Sequence, residues 1–106
     1  MKTRYLIAMI AALSVSSLAF AADDAEALFT KNRCSNCHKV DSKGVGPMLK
    51  DIAAKYATDK SAAATLEKKV RSGGSGVWGS MPMPRTPDSV SDADIKALVA
   101  WVLSHK

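Results

Sequence analysis

The sequence is poor in the residues that staple small proteins and lacks the pattern that builds sheets. It holds two cysteines and two histidines in 106 residues. Two cysteines exclude a multi-disulfide scaffold, and four ligands for a structural zinc can be assembled only by calling on the histidines. No segment alternates apolar and polar residues with the period of two that a half-buried strand requires, and no stretch repeats. Aromatic residues make up 6% of the chain and no basic run interleaves with them, so nothing suggests a nucleic-acid groove. The longest uncharged apolar run is about 16 residues, short of the roughly 20 that span a bilayer.

That run lies at the start. Lys2 and Arg4 precede "YLIAMIAALSVSSLAF", and Ala19 and Ala21 occupy the small-residue positions of a signal peptidase site. This order of charge, apolar run and small residues predicts a secretory signal peptide over residues 1–21, or 1–22 if the cut follows Ala22. An uncleaved membrane anchor is the alternative. Residues 22–106 then form one small domain, expected to be monomeric and without stable membrane insertion. A domain this small buries little apolar surface and commonly needs a disulfide, a metal or a cofactor. Loss of Lys2 and Arg4 lowers the formal charge from +5 to about +3. That balance is too weak to argue for nucleic acid, but leaves room for a positive face that docks an acidic protein.

The domain reads as all-α, about four short helices with loops between them. "DDAEALFTKN" predicts a first helix, capped by Asp23 or Asp24, with Leu28 and Phe29 facing inward. "MLKDIAAKYATDK" places Leu49, Ile52, Ala53 and Tyr56 on one side of a second. "SAAATLEKKVRSGG" predicts a third, capped by Ser61 and stopped by Gly73 and Gly74. "SDADIKALVAWVLSHK" is the clearest helix, with Ser91 and Asp94 as a capping box and a stripe of Ile95, Leu98, Val99, Val102 and Leu103. "GSGVWGSMPMPRTP", residues 74–87, is too rich in proline and glycine for helix or ladder. A loop of that length in so small a domain is usually functional.

"RCSNCHKV" carries the chemistry. Cys34 and Cys37 close too small a loop to stabilise much as a disulfide. A thioredoxin-like dithiol needs a sheet that the pattern does not supply. Zinc on Cys34, Cys37, His38 and His105 sets adjacent residues around one tetrahedral ion and relies on a penultimate histidine. C-x-x-C-H instead matches covalent attachment of haem c. Two thiols three apart on a helical turn reach the two vinyl groups on one side of the porphyrin, and His38 then offers its ring to the iron. Export agrees, since haem c is attached outside the cytoplasm. An electron-carrying iron takes a second axial ligand, and a soft thioether raises its potential. Met48 lies beside Pro47 on the histidine side. Met81 and Met83 lie in the proline-rich loop, and spacing does not choose between them.

The pieces "LFTKNRCSNCHKVD", "VGPMLKDIAAKYA", "GSGVWGSMPMP" and "ALVAWVLSHK" run in order over nearly all of residues 22–106. Together they resemble a short bacterial class I cytochrome c, of the kind that donates electrons to nitrite reductase or a terminal oxidase. The resemblance implies one covalent haem c per chain on Cys34 and Cys37, with His38 and Met83 as axial ligands. It implies that the Pro47 carbonyl accepts the other ring N–H of His38, which fixes the tautomer and makes the ligand more basic. It implies Trp78 at a haem propionate, a contact of Phe29 with Trp101, and Leu66, Val70 and Leu98 as haem walls. Arg71 or Lys69 is a candidate to neutralise the propionates, with plain surface solvation as the alternative. The family often continues its methionine run as "PMPPN", where the asparagine supports the sulfur. Here "PRTPDSVSD" follows Met83, leaving Thr86 or a backbone group for that task.

The expected function is a periplasmic one-electron carrier of the respiratory chain, not an enzyme. Its donor would be a redox protein such as a quinol–cytochrome c reductase, its acceptor a nitrite reductase or cytochrome oxidase. Val45 and Met81 would form an apolar docking spot, ringed by Lys39, Lys43 and Arg85. A haem sensor or peroxidase-like module with a labile methionine is the competing reading.

Overall fold

The computed structural model describes residues 22–106. The predicted signal peptide lies outside the described residues. Four α-helices follow one another: α1 (Ala22–Lys31), α2 (Leu49–Lys55), α3 (Ala62–Ser72) and α4 (Asp92–Leu103), with a short 3-10 turn at Cys34–Asn36. The all-α expectation holds. None of the described helices is long and apolar enough to cross a membrane.

α4 organises the rest, because it packs against α1, α2 and α3. Its stripe of Ile95, Leu98 and Val99 is buried. Its start is fixed by Ser91, whose Oγ accepts the Asp94 N–H at 3.1 Å. Asp92 and Asp94 lie in the first turn, where negative charge suits the helix dipole. α1 packs against α4, and its Ala25 and Phe29 are both buried. The Phe29 and Trp101 rings sit 5.1 Å apart, tilted by 55°. His105 places its ring edge-on against Trp101 and bonds the Trp101 carbonyl through Nδ1 at 2.8 Å.

Two expected caps differ from the structure. α1 already includes Asp23 and Asp24 where the described residues begin, so neither stands before the helix as its cap. Ser61 stands at the start of α3 but gives no side-chain cap. Its hydroxyl and N–H instead donate to the Asp59 carboxylate at 2.7 and 2.9 Å. Those two bonds lower the Asp59 pKa from its ordinary value. The hydroxyl acts here as a donor to a nearby carboxylate, where a cap would have it accept a helix N–H. Gly73 ends α3 as expected, with φ 67 and its N–H on the Lys69 carbonyl at 2.7 Å.

Phe29, Leu49, Ile52 and Leu98 form the central cluster, with Leu28, Cys34, Tyr56, Leu66, Trp101 and Val102 packed against it. Ile95 is 2% exposed. Truncation of a fully buried isoleucine costs the lost burial plus a cavity. Ile95→Ala is therefore expected to lower the unfolding free energy in urea by about 2–5 kcal/mol with helix content retained. Ala100→Ser on the exposed side of the same helix should change it by less than about 0.5 kcal/mol.

Candidate haem site

α1 hands the chain to the cysteine motif through a sharp reversal. Asn32 and Arg33 donate their N–H groups back to Leu28 and Thr30. Arg33 takes φ 64, a left-handed conformation uncommon for a residue with a Cβ. The Cys37 and His38 N–H groups then both reach the Cys34 carbonyl, at 3.2 and 2.9 Å. This one turn gathers Cys34, Cys37 and His38. The segment after it is tied down at once. Gly46 donates to the Cys37 carbonyl at 2.9 Å, and Leu49 and Lys50 donate to Lys39 and Val40 at 2.8 and 3.1 Å. The first N–H groups of α2, which have no partner inside the helix, thus hold the backbone just past His38.

The His38 ring is oriented from two sides. Its Nδ1 lies 2.8 Å from the Pro47 carbonyl, so Nδ1 carries the proton and Nε2 is left as the free lone pair. Gly46 lies flat against the ring. A Cβ there would come within 2.7 Å of Cε1 and 2.9 Å of Nδ1. Sequence reading missed this glycine as a site residue. Nothing in its neighbourhood of turn residues marks it as more than loop.

The second segment comes from the loop after α3. It is irregular, as expected, but it does carry one antiparallel rung, against the expectation that no ladder forms. Gly74 N–H reaches the Met83 carbonyl at 2.9 Å and Met83 N–H the Gly74 carbonyl at 2.8 Å. The rung is possible because neither residue is a proline. Gly73 makes it possible sterically. Its φ of 67 and ψ of −161 fall where residues with a Cβ are strained, and a Cβ would run into the Met83 carbonyl and the Arg85 N–H. Met83 is half-buried, whereas Met81 is 66% exposed.

Both segments face one apolar cleft of about 1130 Å³, its open mouth included. Cys34, Cys37 and His38 line it from one segment, Met81, Pro82 and Met83 from the other. Leu66, Val70 and Leu98 line it, joined by Phe29, Leu49, Ile52, Val99 and Val102. Trp78 is at its rim, 45% exposed, with Lys55 Nζ 5.6 Å from the ring centroid. Val45 and Val77 are exposed at the mouth. Lys69 lines the cleft as well, but Arg71 does not. The Arg71 guanidinium is bonded elsewhere, to the carbonyls of Thr86, Pro87 and Val90 and to the Asp92 carboxylate.

The competing chemistries do not fit. Among the described residues no three of His, Cys, Asp and Glu gather to hold a zinc ion. Burial pushes the Cys34 thiol up from its ordinary pKa, assisted by the neighbouring Cys37. A thioredoxin-like dithiol also needs a sheet beside it, and the described residues form only the single Gly74–Met83 rung. Both cysteines are free and face the same apolar space as a histidine with an available nitrogen. That donor set fits a haem held by two thioethers.

A family model described as cytochrome c matches residues 22–106. The chain belongs to the cytochrome c family. It is 50% identical over 106 residues to a Nitrosomonas europaea cytochrome c-552 and 42% identical to a Pseudomonas aeruginosa cytochrome c-551, covering all of this chain and all of each relative. The crystal structure of wild-type Nitrosomonas europaea cytochrome c552 superposes with a TM-score of 0.72 at 54% identity, over 76% of this chain and 99% of that one. The class 1 cytochrome MtoD from Sideroxydans lithotrophicus ES-1 superposes with a TM-score of 0.73 at 33% identity, over 82% of this chain and 98% of that one. The chain is a bacterial class I monohaem c-type cytochrome, and Cys34 and Cys37 fit one covalently attached haem c.

The two glycines yield a test. Gly46→Ala forces the His38 ring or its own loop to move, and overpacking of this kind costs about 1–3 kcal/mol. Gly73→Ala adds backbone strain of about 1–3 kcal/mol and displaces Met83. Thermal unfolding of the haem-loaded variants should show both losses. Wild-type melting of either variant would mean that the close contacts are slack.

Proposed function

We propose that residues 22–106, released from a signal peptide at residues 1–21, serve in the periplasm as a one-electron carrier whose iron is held by His38 and Met83. The haem supplies an Fe(III)/Fe(II) couple. The observation that carries this reading is that His38 and Met83, far apart in sequence, line the same apolar cleft and are each anchored through backbone hydrogen bonds. Anchoring is what a weak thioether bond needs in order to persist in both oxidation states.

Each residue has a task in this reading. Cys34 and Cys37 fix the porphyrin. Pro47 holds the His38 proton on Nδ1 and raises the basicity of Nε2. Leu66, Val70 and Leu98 keep water away, which limits reorganisation when charge changes. Trp78 and Lys69 stand at the rim to meet the propionates. His38 and Met83 would both hold the iron and leave no site on it for a substrate, so in this reading the chain would carry electrons and not catalyse a reaction. The methionine is best assigned to Met83, whose backbone is paired with Gly74 while Met81 is largely in solvent.

Met81 and Val45, 66% and 60% exposed, make the apolar centre of the docking face. Lys39, Lys43 and Arg85 surround it. Lys39 bonds the Ser35 carbonyl at 2.9 Å, and Arg85 pairs with Asp88 at 3.0 Å, so Lys43 is the more available charge for a partner. The partners are redox proteins with acidic faces, a quinol–cytochrome c reductase as donor and a nitrite reductase or cytochrome oxidase as acceptor. Such encounters are small, weak and fast, with on-rates that fall with salt.

Three measurements test the proposal. Ferric wild-type protein should show a methionine–iron charge-transfer band that Met83→Ala abolishes and Met81→Ala retains, and ferrous wild-type protein should bind carbon monoxide slowly. Rapid carbon monoxide binding would favour the sensor reading instead. Reversal of Lys39 and Lys43 to glutamate should slow transfer with an isolated acidic partner and flatten its salt dependence. Unchanged rates at every ionic strength would remove the docking face from the account.

A further inference from the structure

The loop that carries Met83 is attached at two places. The first is the Gly74–Met83 rung. The second lies further along. The Thr86 N–H is shared between the Val70 and Arg71 carbonyls, at 3.2 and 3.3 Å. Arg71, half-buried on the last turn of α3, returns its guanidinium to the same loop. Nη1 donates to the Pro87 carbonyl at 2.8 Å and to the Thr86 carbonyl at 3.4 Å. Nη2 donates to the Val90 carbonyl and to Asp92 Oδ1, both at 2.7 Å. One side chain thus joins α3, the loop from Thr86 to Val90 and the first turn of α4.

We infer that Arg71 is the positioning residue that holds the Met83 ligand loop closed. The inference rests on Met83 being the ligand. Its physical basis is geometric. The segment from Pro84 to Ser89 forms no regular structure, and two prolines in it supply no N–H. Little of it is held by its own backbone beyond the Val90 N–H on the Pro87 carbonyl at 3.0 Å, and a planar guanidinium with five donors meets the carbonyls of Thr86, Pro87 and Val90 and the Asp92 carboxylate at once. A lysine ammonium in that place has three donors on one point and cannot span the same set. The carboxylate of Asp92 is largely in solvent, so the ion pair alone contributes little. The fork of bonds to backbone carbonyls does the holding. These contacts lie beyond the cleft, so Arg71 acts on the ligand through the loop and does not touch the haem pocket.

The test follows how often the methionine leaves the iron. Ferric holoprotein is mixed with cyanide, which binds only when the sixth position opens. Arg71→Ala is expected to raise the cyanide binding rate about tenfold or more, the equivalent of about 1.4 kcal/mol in the opening equilibrium. The methionine–iron band of that variant should vanish at a lower temperature than global unfolding. Arg71→Lys should also bind cyanide faster than wild type, by a smaller factor, and carries the test if the alanine variant does not fold. Ile95→Ala, which weakens the core away from the cleft, should keep the wild-type cyanide rate despite its lower stability. Equal cyanide rates in the Arg71 variants and wild type overturn the inference, as does an equal acceleration in Ile95→Ala. Met83→Ala is run beside them. Retention of the band in that variant would show that the ligand assignment is what has failed.

Discussion

Phe29, Leu49, Ile52 and Leu98 face two ways. They form the central apolar cluster, and all four also line the cleft. The central cluster is therefore a layer of side chains with helices on one side and the haem site on the other, while Ile95 is buried away from the cleft. A domain of this size cannot bury enough apolar surface on its own. The porphyrin completes the core, and the covalent thioethers ensure that it does not leave. The short helices, which would be marginal in isolation, gain their stability from that shared layer. Fold and cofactor site are the same piece of physics here.

The remaining structure serves to bring two chain segments to that layer and hold them. Both are held chiefly through main-chain atoms. The His38 segment is bound by N–H groups from Gly46 and the start of α2, and its ring by the Pro47 carbonyl. The Met83 segment is bound by Gly74, and its continuation by Val70 and Arg71. Glycine recurs at the tight points because backbone-to-backbone and backbone-to-ring approach leave no room for a Cβ. Side-chain identity is thereby freed to set the cleft's polarity and the charge at its mouth.

Much of this was legible in the sequence, and the reasons differ by residue. The helices announced themselves by period and by stop signals such as Gly73. The Cys34, Cys37 and His38 cluster was legible because its spacing is tied to porphyrin geometry. Spacing did not separate Met83 from Met81, and the family resemblance had to supply the choice. The functions of Gly46, Gly74 and Arg71 were not legible. A glycine in a loop looks the same whether it turns the chain or lies against an imidazole. Arg71, like Lys69, read as a candidate propionate partner or a plain solvated charge, while the three carbonyls that claim it are set by the path of an irregular segment. Ser61 turned to Asp59 for a similar reason, since its hydroxyl could accept from a helix N–H or donate to the nearby carboxylate and only geometry decides between them.

The central claim is that Met83 is held on the haem iron in the working protein. Proton NMR of the ferrous form, with methionine methyl groups isotopically labelled and assigned by single Met→Leu substitutions, addresses it directly. A methyl fixed over a porphyrin face is shifted far upfield by the ring current, outside the range of ordinary protein resonances. The account predicts that the Met83 methyl alone appears there, with Met48 and Met81 at ordinary positions. A Met83 methyl at an ordinary position, or a Met81 methyl in the upfield region, would contradict it.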